Sequence, residues 1–437
     1  MQVLKNLVKC IDDNGFRFNP DTTIFAVQHL MQQSLYLFDA LSDLGIKYSN
    51  MFVCGKNYSS NADIIEELRN RNINTPLRDK YKIGVSSDAD IYFDLRELSK
   101  RYNHSNALNF ENTVLLDDGG HLLASADTLI NKPSAFFCGV EQTGSGIHQY
   151  GIKSLKFPTV DVSSSAAKRI FEPPLIAKAV YERLISVLHD LRSPIIGIIG
   201  LGYVGQAIAE SLLVDGYSIY AFDSRSDINA KSGIRIAKSI NEIVNACDVI
   251  IGATGKDISK SFVSRDQFIL KEKKVFVSVS SGDVEFYKLK SLFFESNAYD
   301  PESQYDIGSI PNLEMQYGDG HILLLRNGFP INFDNSLFSV PLKDIQGTIC
   351  LLLIACVQSY LIRKQTHKTL IYPGRIMVDT SFQSALMKSW GEVLDVDHGI
   401  SDLYLNRSTY IEQQSQLRTE PKVIRLPWVF KNWKWNF

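Results

Sequence analysis

The segment Gly200-Leu201-Gly202-Tyr203-Val204-Gly205 constrains this chain more than any other, because everything such a turn needs surrounds it. A bare G-x-G-x-x-G is a weak signal. Here it follows the apolar run Pro194 to Ile199, opens a helical pattern from Val204 to Val214, and leads through a β-rich run, Tyr217 to Phe222, to Asp223. Gly200 permits a tight turn, Gly202 lets backbone approach a pyrophosphate, and Gly205 lets helix and strand pack closely. The helix N-terminus adds N–H donors and the positive end of its dipole. Asp223, about 20 residues on, is placed to accept from a ribose 2′-OH and to repel a 2′-phosphate, which points to NAD over NADP. Arg225 beside it keeps NADP within reach. The bland alternative is an α/β turn that merely needs glycines.

The rest of the chain reads as α/β on both sides of this unit. Thr22 to Val27 and Ser49 to Cys54 are strand-like, with a helical pattern over Leu30 to Leu44 between them. Thr113 to Leu116 forms a further strand running into Asp117-Asp118-Gly119-Gly120, where carboxylates sit at a strand's C-terminal edge. Pro173-Pro174 breaks the chain before an amphipathic helix over Leu175 to Leu191. From Pro194 to about Asn332, strand and helix patterns alternate at βαβ spacing, as at Val249 to Ile251 and Val275 to Val279. With 437 residues, two domains are expected. They are a Rossmann NAD-binding domain over 181–335 inserted into an α/β catalytic domain over 1–180, to which 336–437 returns with a C-terminal tail. A hinge is expected near 180 to 195.

Composition excludes more than it selects. A net charge of −2 with 22% charged residues gives no electrostatic reason to expect nucleic acid or an anionic membrane. Six cysteines without CxxC spacing fit a reducing compartment, and no apolar leader precedes the first helix, so a cytoplasmic protein is expected. The apolar stretch Ile349 to Val357 is short of the roughly 20 residues a bilayer span needs and reads as a buried helix. Asp117, Asp118 and His121 lack further ligands at convincing spacing, so no metal is expected. Ser163-Ser164-Ser165 has no His/Asp arrangement nearby and reads as a polar turn rather than a nucleophile. Trp428, Trp433 and Trp435, interleaved with Lys431 and Lys434, are expected to pack on the body or on a neighbouring subunit of a homo-oligomer.

Several further segments resemble, in order over roughly residues 20 to 360, the S-adenosylhomocysteine hydrolase family. They are Gln28-His29, Leu116 to Gly120, Thr143-Gly-Ser-Gly146-Ile-His148, Ser165-Ala-Ala-Lys168-Arg-Ile-Phe-Glu172, Gly252-Ala-Thr254-Gly255, Gly282-Asp283-Val-Glu285 and Gly328-Phe-Pro-Ile-Asn332. The resemblance implies tightly held NAD that oxidises a sugar hydroxyl, followed by elimination and hydration on a small nucleoside-like or thioether substrate. It implies that Lys168 and Glu172 act at the hydroxyl and its neighbouring carbon, and that His29 with Asp117 or Asp118 serves the leaving group. Thr143 and Asn332 become cofactor contacts, joined by Thr254. Because Glu172 precedes Pro173, the Lys168–Glu172 pair is expected on a loop. Taken singly, His29 is as readily a helix-capping histidine and Lys168 a solvated lysine.

The sequence also departs from that family. Met31, Gln33, Gln142, Pro173 and Ser281 stand where the family carries other residues, and its C-terminal Lys/Tyr arm is missing. The purine end is rewritten. Two other readings therefore stand beside the hydrolase: a catalytically silent NAD-binding regulatory or scaffolding homologue, and a simple dehydrogenase that releases NADH.

Overall fold

The computed structural model describes residues 1–104, 112–130, 132, 134–149, 155–225, 232–263, 272–365, 374–398 and 429–437. The first stretch runs α1 (Gln2–Asp13), β1 (Thr23–Gln28), α2 (Gln32–Asp43), β2 (Met51–Gly55), α3 (Ala62–Asn70), β3 (Lys80–Lys82) and α4 (Ser87–His104). It continues through β4 (Thr113–Asp117), α5 (His121–Leu129), β5 (Phe137–Glu141), α6 (Gly144–Gln149), β6 (Pro158–Asp161) and α7 (Ala166–His189). The second runs β7 (Ile195–Ile199), α8 (Tyr203–Val214), β8 (Ser218–Phe222), β9 (Ile234–Ile236), α9 (Ile240–Ala246), β10 (Val249–Gly252) and β11 (Lys273–Ser278). After it come α10 (Tyr287–Glu295), β12 (Gln304–Asp306), β13 (Leu313–Tyr317) and β14 (Gly320–Leu324). The chain then returns through α11 (Leu342–Gln365), β15 (Gly374–Met377) and α12 (Thr380–His398).

Two large sheets and a two-stranded ribbon of β3 and β12 result, and the fold is two-domain α/β. The first has the order β15-β6-β5-β4-β1-β2 and is parallel throughout. Its central strands β1, β4 and β5 are buried at every residue, as expected when helices cover both faces. The second sheet, β13-β14-β11-β10-β7-β8-β9, is the doubly wound Rossmann order with one antiparallel edge strand, β13. In both sheets the strand order reverses once among the parallel strands, between β1 and β4 in the first and between β7 and β10 in the second. A crevice at such a point, beyond the strands' C-terminal ends, is where open α/β sheets take ligands.

Helix α7 differs from the sequence expectation. It runs unbroken from Ala166 to His189 with Pro173 and Pro174 inside it. Each proline deletes a backbone hydrogen bond and costs about 3 kcal/mol in an isolated helix. Here α7 packs against α8, α11 and α12, and burial of Ile170, Phe171, Pro173 and Leu175 offsets that cost. Lys168 and Glu172 are therefore one helical turn apart on the same face and not on a loop. The Ser163–Ser165 turn leads into this helix: Ser163 Oγ donates to Asp161 at 2.7 Å, and Ser165 Oγ accepts from Lys168 N at 3.3 Å.

Helix α11 also exceeds its sequence signal. The nine-residue apolar run sits within a helix whose length and composition would suffice to cross a bilayer, and 89% of its most apolar window is buried. It is covered by α1, α2, α7 and α12 and lies against β5 and β6. Gly347 admits the indole of Trp390, which a Cβ there would approach to 1.9 Å. The end of the tail folds back on this body: Val429 and Phe430 are buried, and Trp435 meets Phe382 with ring centroids 5.1 Å apart. Trp428 and the preceding part of the tail lie outside the described residues.

Candidate active site

The C-terminal ends of the two sheets face each other across a cavity of about 160 Å³. The first sheet and its helices contribute Gln28 and His29 from the end of β1, Gln33 from α2, Asp118 from the end of β4, and Gln142 and Thr143 from the end of β5. Helix α7 brings Lys168 and Glu172, and α11 brings Thr348. The Rossmann side supplies Val279 and Ser281 beyond β11, together with Pro330 and Asn332. Residues separated by some 300 positions thus converge because the C-terminal ends of β1, β4 and β5 face the segments that follow β11 and β14.

Two ionic clusters occupy this cavity. In one, His29 Nε2 lies 3.2 Å from Asp118 Oδ2, His29 Nδ1 is 2.5 Å from Ser59 Oγ, and Lys56 Nζ donates to Asp118 Oδ1. The imidazole stacks on Phe333 with ring centroids 4.4 Å apart. Burial pulls the His29 pKa below its ordinary value despite the Asp118 carboxylate beside it. Burial alone would raise Asp118, but Lys56 and His29 outweigh it and hold the carboxylate well below its usual range. In the other cluster, Lys168 Nζ donates to both oxygens of Glu172 at 2.7 and 2.9 Å, and Thr348 Oγ1 donates to Glu172 Oε2 at 2.8 Å. An ammonium has three N–H donors, so one remains for the cavity.

The two adjacent aspartates part company. Asp117 turns its Oδ2 onto the backbone N–H of Leu123 in α5 at 2.9 Å and does not line the cavity, whereas Asp118 does. Behind it, Glu141 is buried and accepts from Gly119 N, Thr143 N and Thr143 Oγ1 at 3.2, 2.8 and 2.7 Å. Burial pushes the Glu141 carboxyl well above its ordinary value and that of Asp117 up to about 6. Lys56, Ser59, Glu141 and Thr348 had no sequence signal beyond position.

The glycine turn is built as its spacing requires. Gly200 has φ +101°, and a Cβ there would meet Ala253 O at 2.7 Å and Thr254 Cγ2 at 2.9 Å. A Cβ on Gly205 would fall 1.9 Å from Gly200 O, while one on Gly202 would meet nothing within 4 Å. The turn is thus closed on its protein side and open on the side where a pyrophosphate approaches the start of α8 at Tyr203 and Val204. Asp223 steadies it by accepting from Leu201 N at 2.8 Å, and Arg225 bonds both Asp223 oxygens and Leu201 O. Thr254 is anchored by Glu285, which accepts from its N–H and hydroxyl at 2.7 and 2.8 Å. Thr143 and Asn332 both line the cavity, with Thr143 Oγ1 also accepting from Gly146 N at 3.0 Å at the start of α6.

Comparison with known proteins finds the Rossmann segment similar to the cofactor domain of a dehydrogenase. Residues 195–286 match the family model of the NAD binding domain of 6-phosphogluconate dehydrogenase. Uncharacterized proteins from two strains of Mycobacterium tuberculosis are 30% identical over 321 residues, covering 72% of this chain and 59% of theirs. The chain therefore spans about three fifths of the length of the curated relatives it matches. Among solved structures, an NADPH-dependent glyoxylate/hydroxypyruvate reductase from Sinorhizobium meliloti aligns at a TM-score of 0.39 and 12% identity, over 81% of this chain and 98% of that one. A 2-hydroxyacid dehydrogenase from Ketogulonicigenium vulgare aligns at 0.35 and 10%, over 77% and 93%.

These findings correct the sequence resemblance. The family model matching the cofactor segment is that of a dehydrogenase, so the S-adenosylhomocysteine hydrolase assignment falls, and the hydrolase or lyase chemistry and the nucleoside-like substrate fall with it. Short glycine- and aspartate-rich pieces at the strand ends produced the resemblance, and any sheet with ligands at its reversals calls for such pieces. The cofactor expectation stands: the chain carries a Rossmann domain for NAD(H) within a two-domain α/β fold.

Proposed function

We propose that this protein is an NAD(H)-dependent dehydrogenase or reductase of the kind represented by the 2-hydroxyacid dehydrogenases. It would interconvert a secondary hydroxyl and the corresponding ketone on a small substrate held between the two domains. The observation that carries this reading is the Lys168–Glu172–Thr348 cluster, an acid–base relay facing residues that follow the Rossmann strand β11 across one cavity. Bound NAD supplies the two-electron hydride acceptor.

The chain's own residues do the rest. The remaining N–H of Lys168 holds the substrate oxygen. Lys168 first passes a proton to the Glu172 carboxylate along the 2.7 Å hydrogen bond, and the neutral amine so formed accepts the hydroxyl proton as the carbon gives up its hydride. Thr348 keeps the carboxylate aimed at the lysine. His29 is less suited to this task, because Ser59 and Asp118 engage its two ring nitrogens. It serves instead to fix Asp118 and one wall of the cavity.

The test is to supply NAD with secondary alcohols and 2-hydroxy acids and follow the absorbance of NADH. Net NADH in step with substrate consumed supports a dehydrogenase. Bound NAD that no substrate reduces would overturn it in favour of a catalytically silent relative.

A further inference from the structure

Among the described residues, the cavity carries an excess of unmatched neutral polar groups and no unmatched cation. Gln28, Gln142 and Asn332 are 4%, 9% and 6% exposed, all three line the cavity, and each has a side-chain amide atom without a hydrogen-bond partner: Gln28 Nε2, Gln142 Oε1 and Asn332 Oδ1. Gln33 Oε1, also on the lining, is a fourth. These groups come from four separate places: the end of β1, the start of α2, the end of β5 and the segment after β14. Their convergence on one space is not the accident of a single loop. A buried amide is costly to leave unpaired, and a ligand that pairs several of them is favoured accordingly.

The charges at the cavity cancel locally. Lys56 is matched by Asp118 and Lys168 by Glu172, while burial favours the neutral form of His29. A carboxylate substrate brought here would meet no cation without its own anion among the described lining residues, and losing its hydration would go uncompensated. A carboxylate also only accepts hydrogen bonds, whereas an amide presents both a donor and an acceptor. Hydroxyl groups both donate and accept, and so match such a lining. The apolar lining residues Ile345, Ile349 and Leu352 of α11 suit the carbon face of the same molecule.

We infer that the substrate is an uncharged, multiply hydroxylated molecule of the polyol class, held by Gln28, Gln33, Gln142 and Asn332. This rests on the dehydrogenase reading for the reaction but not for the binding. The experiment offers the NAD-loaded protein sorbitol, myo-inositol and glycerol against lactate, glycerate and malate. NADH formation and calorimetric binding are read separately.

Turnover of a polyol is the expected result. Gln142→Leu and Gln33→Leu should each then raise KM about tenfold, with kcat within about threefold and NAD affinity unchanged. Binding of a polyol without NADH formation, lost in both variants, would keep the substrate class and overturn the dehydrogenase reading. Turnover of a hydroxy acid with no polyol bound would keep the dehydrogenase and overturn the substrate class. No binding of any polyol, or binding indifferent to both substitutions, would also overturn it.

Discussion

Nε2 of His29 meets Oδ2 of Asp118 at 3.2 Å at the point where the first sheet reverses its strand order, one residue beyond β1 and one beyond β4. Neither group is free to move alone. Ser59 holds the far side of the imidazole, and the Lys56 ammonium, 1% exposed, closes the far side of the carboxylate. Four predictions follow from this arrangement and its surroundings.

Lys56→Met should leave Asp118 buried with only the His29 imidazole beside it and no full cation to balance it. The expected loss is about 3–5 kcal/mol of stability, seen as a lower urea midpoint at neutral pH. Pairing the change with Asp118→Asn removes the orphaned charge and should recover most of that loss. A single variant as stable as the parent would show that water reaches the pair.

The two inner glycines of the cofactor turn should fail in different ways. Gly205→Ala drives a Cβ to within 1.9 Å of Gly200 O and should destabilise the Rossmann domain by roughly 1–3 kcal/mol. Gly202→Ala meets no protein atom within 4 Å, so its melting temperature should hold while NAD affinity falls about tenfold or more. Calorimetric titration with NAD beside thermal unfolding separates the two. Equal loss of stability in both variants would be inconsistent with the open side of the turn.

Glu141 should make stability depend on pH in an unusual direction for a carboxylate. Burial raises its pKa well above the ordinary value, and Asp117 beside it adds to the rise. Folding thus favours the protonated form. The stabilisation is full below the ordinary carboxyl range, about pH 4, and is lost as pH climbs through the raised value. Glu141→Gln keeps an acceptor for Gly119 and Thr143 without the charge. It should raise Tm by about 2–5 °C at pH 8 and change it little at pH 4. A gain confined to low pH would contradict this sign.

Lys168→Ala should lower kcat by about 10²–10³ with little effect on NAD affinity, because Lys168 belongs to the relay and not to the cofactor turn. Thr348→Val should lose less, about tenfold, since it removes one of the three hydrogen bonds on Glu172 and leaves both from Lys168. Loss of NAD binding in Lys168→Ala would instead mark this helix as part of the cofactor site.

What could be read from the sequence was what is locally encoded. The glycine turn, its strand and Asp223 lie within about thirty residues, and their spacing carries their geometry. Of the strands feeding the first crevice, β1 and β4 were visible from their β-rich runs, while β5, which brings Gln142 and Thr143, was not read from the sequence. The choice between Asp117 and Asp118 was not, because it depends on which way each side chain leaves the end of β4. Lys56 was invisible for a different reason: a lysine after a strand is ordinarily solvated, and only the folded position of Asp118 makes it a buried partner. The Pro173-Pro174 pair misled directly, since a strong local breaker was overridden by packing along the whole of α7. The family resemblance misled because motifs at strand ends report the architecture before they report the chemistry.

A small ribbon on the domain boundary has a mechanical consequence. Strand β3 belongs to the first half of the chain and β12 to the Rossmann half, and they pair antiparallel with Tyr81 opposite Tyr305. The covalent chain crosses between the halves twice, through α7 and through the segment after β14, and the ribbon is a third, non-covalent crossing, its ladder joined by a Tyr81–Tyr305 ring contact and a Lys82–Glu302 ion pair. Rupturing covalent links is not needed to swing the halves apart, but parting them along this side means unzipping a ladder. The ribbon is therefore a non-covalent tether, and its short ladder limits how far the halves can separate before one of its strands must let go.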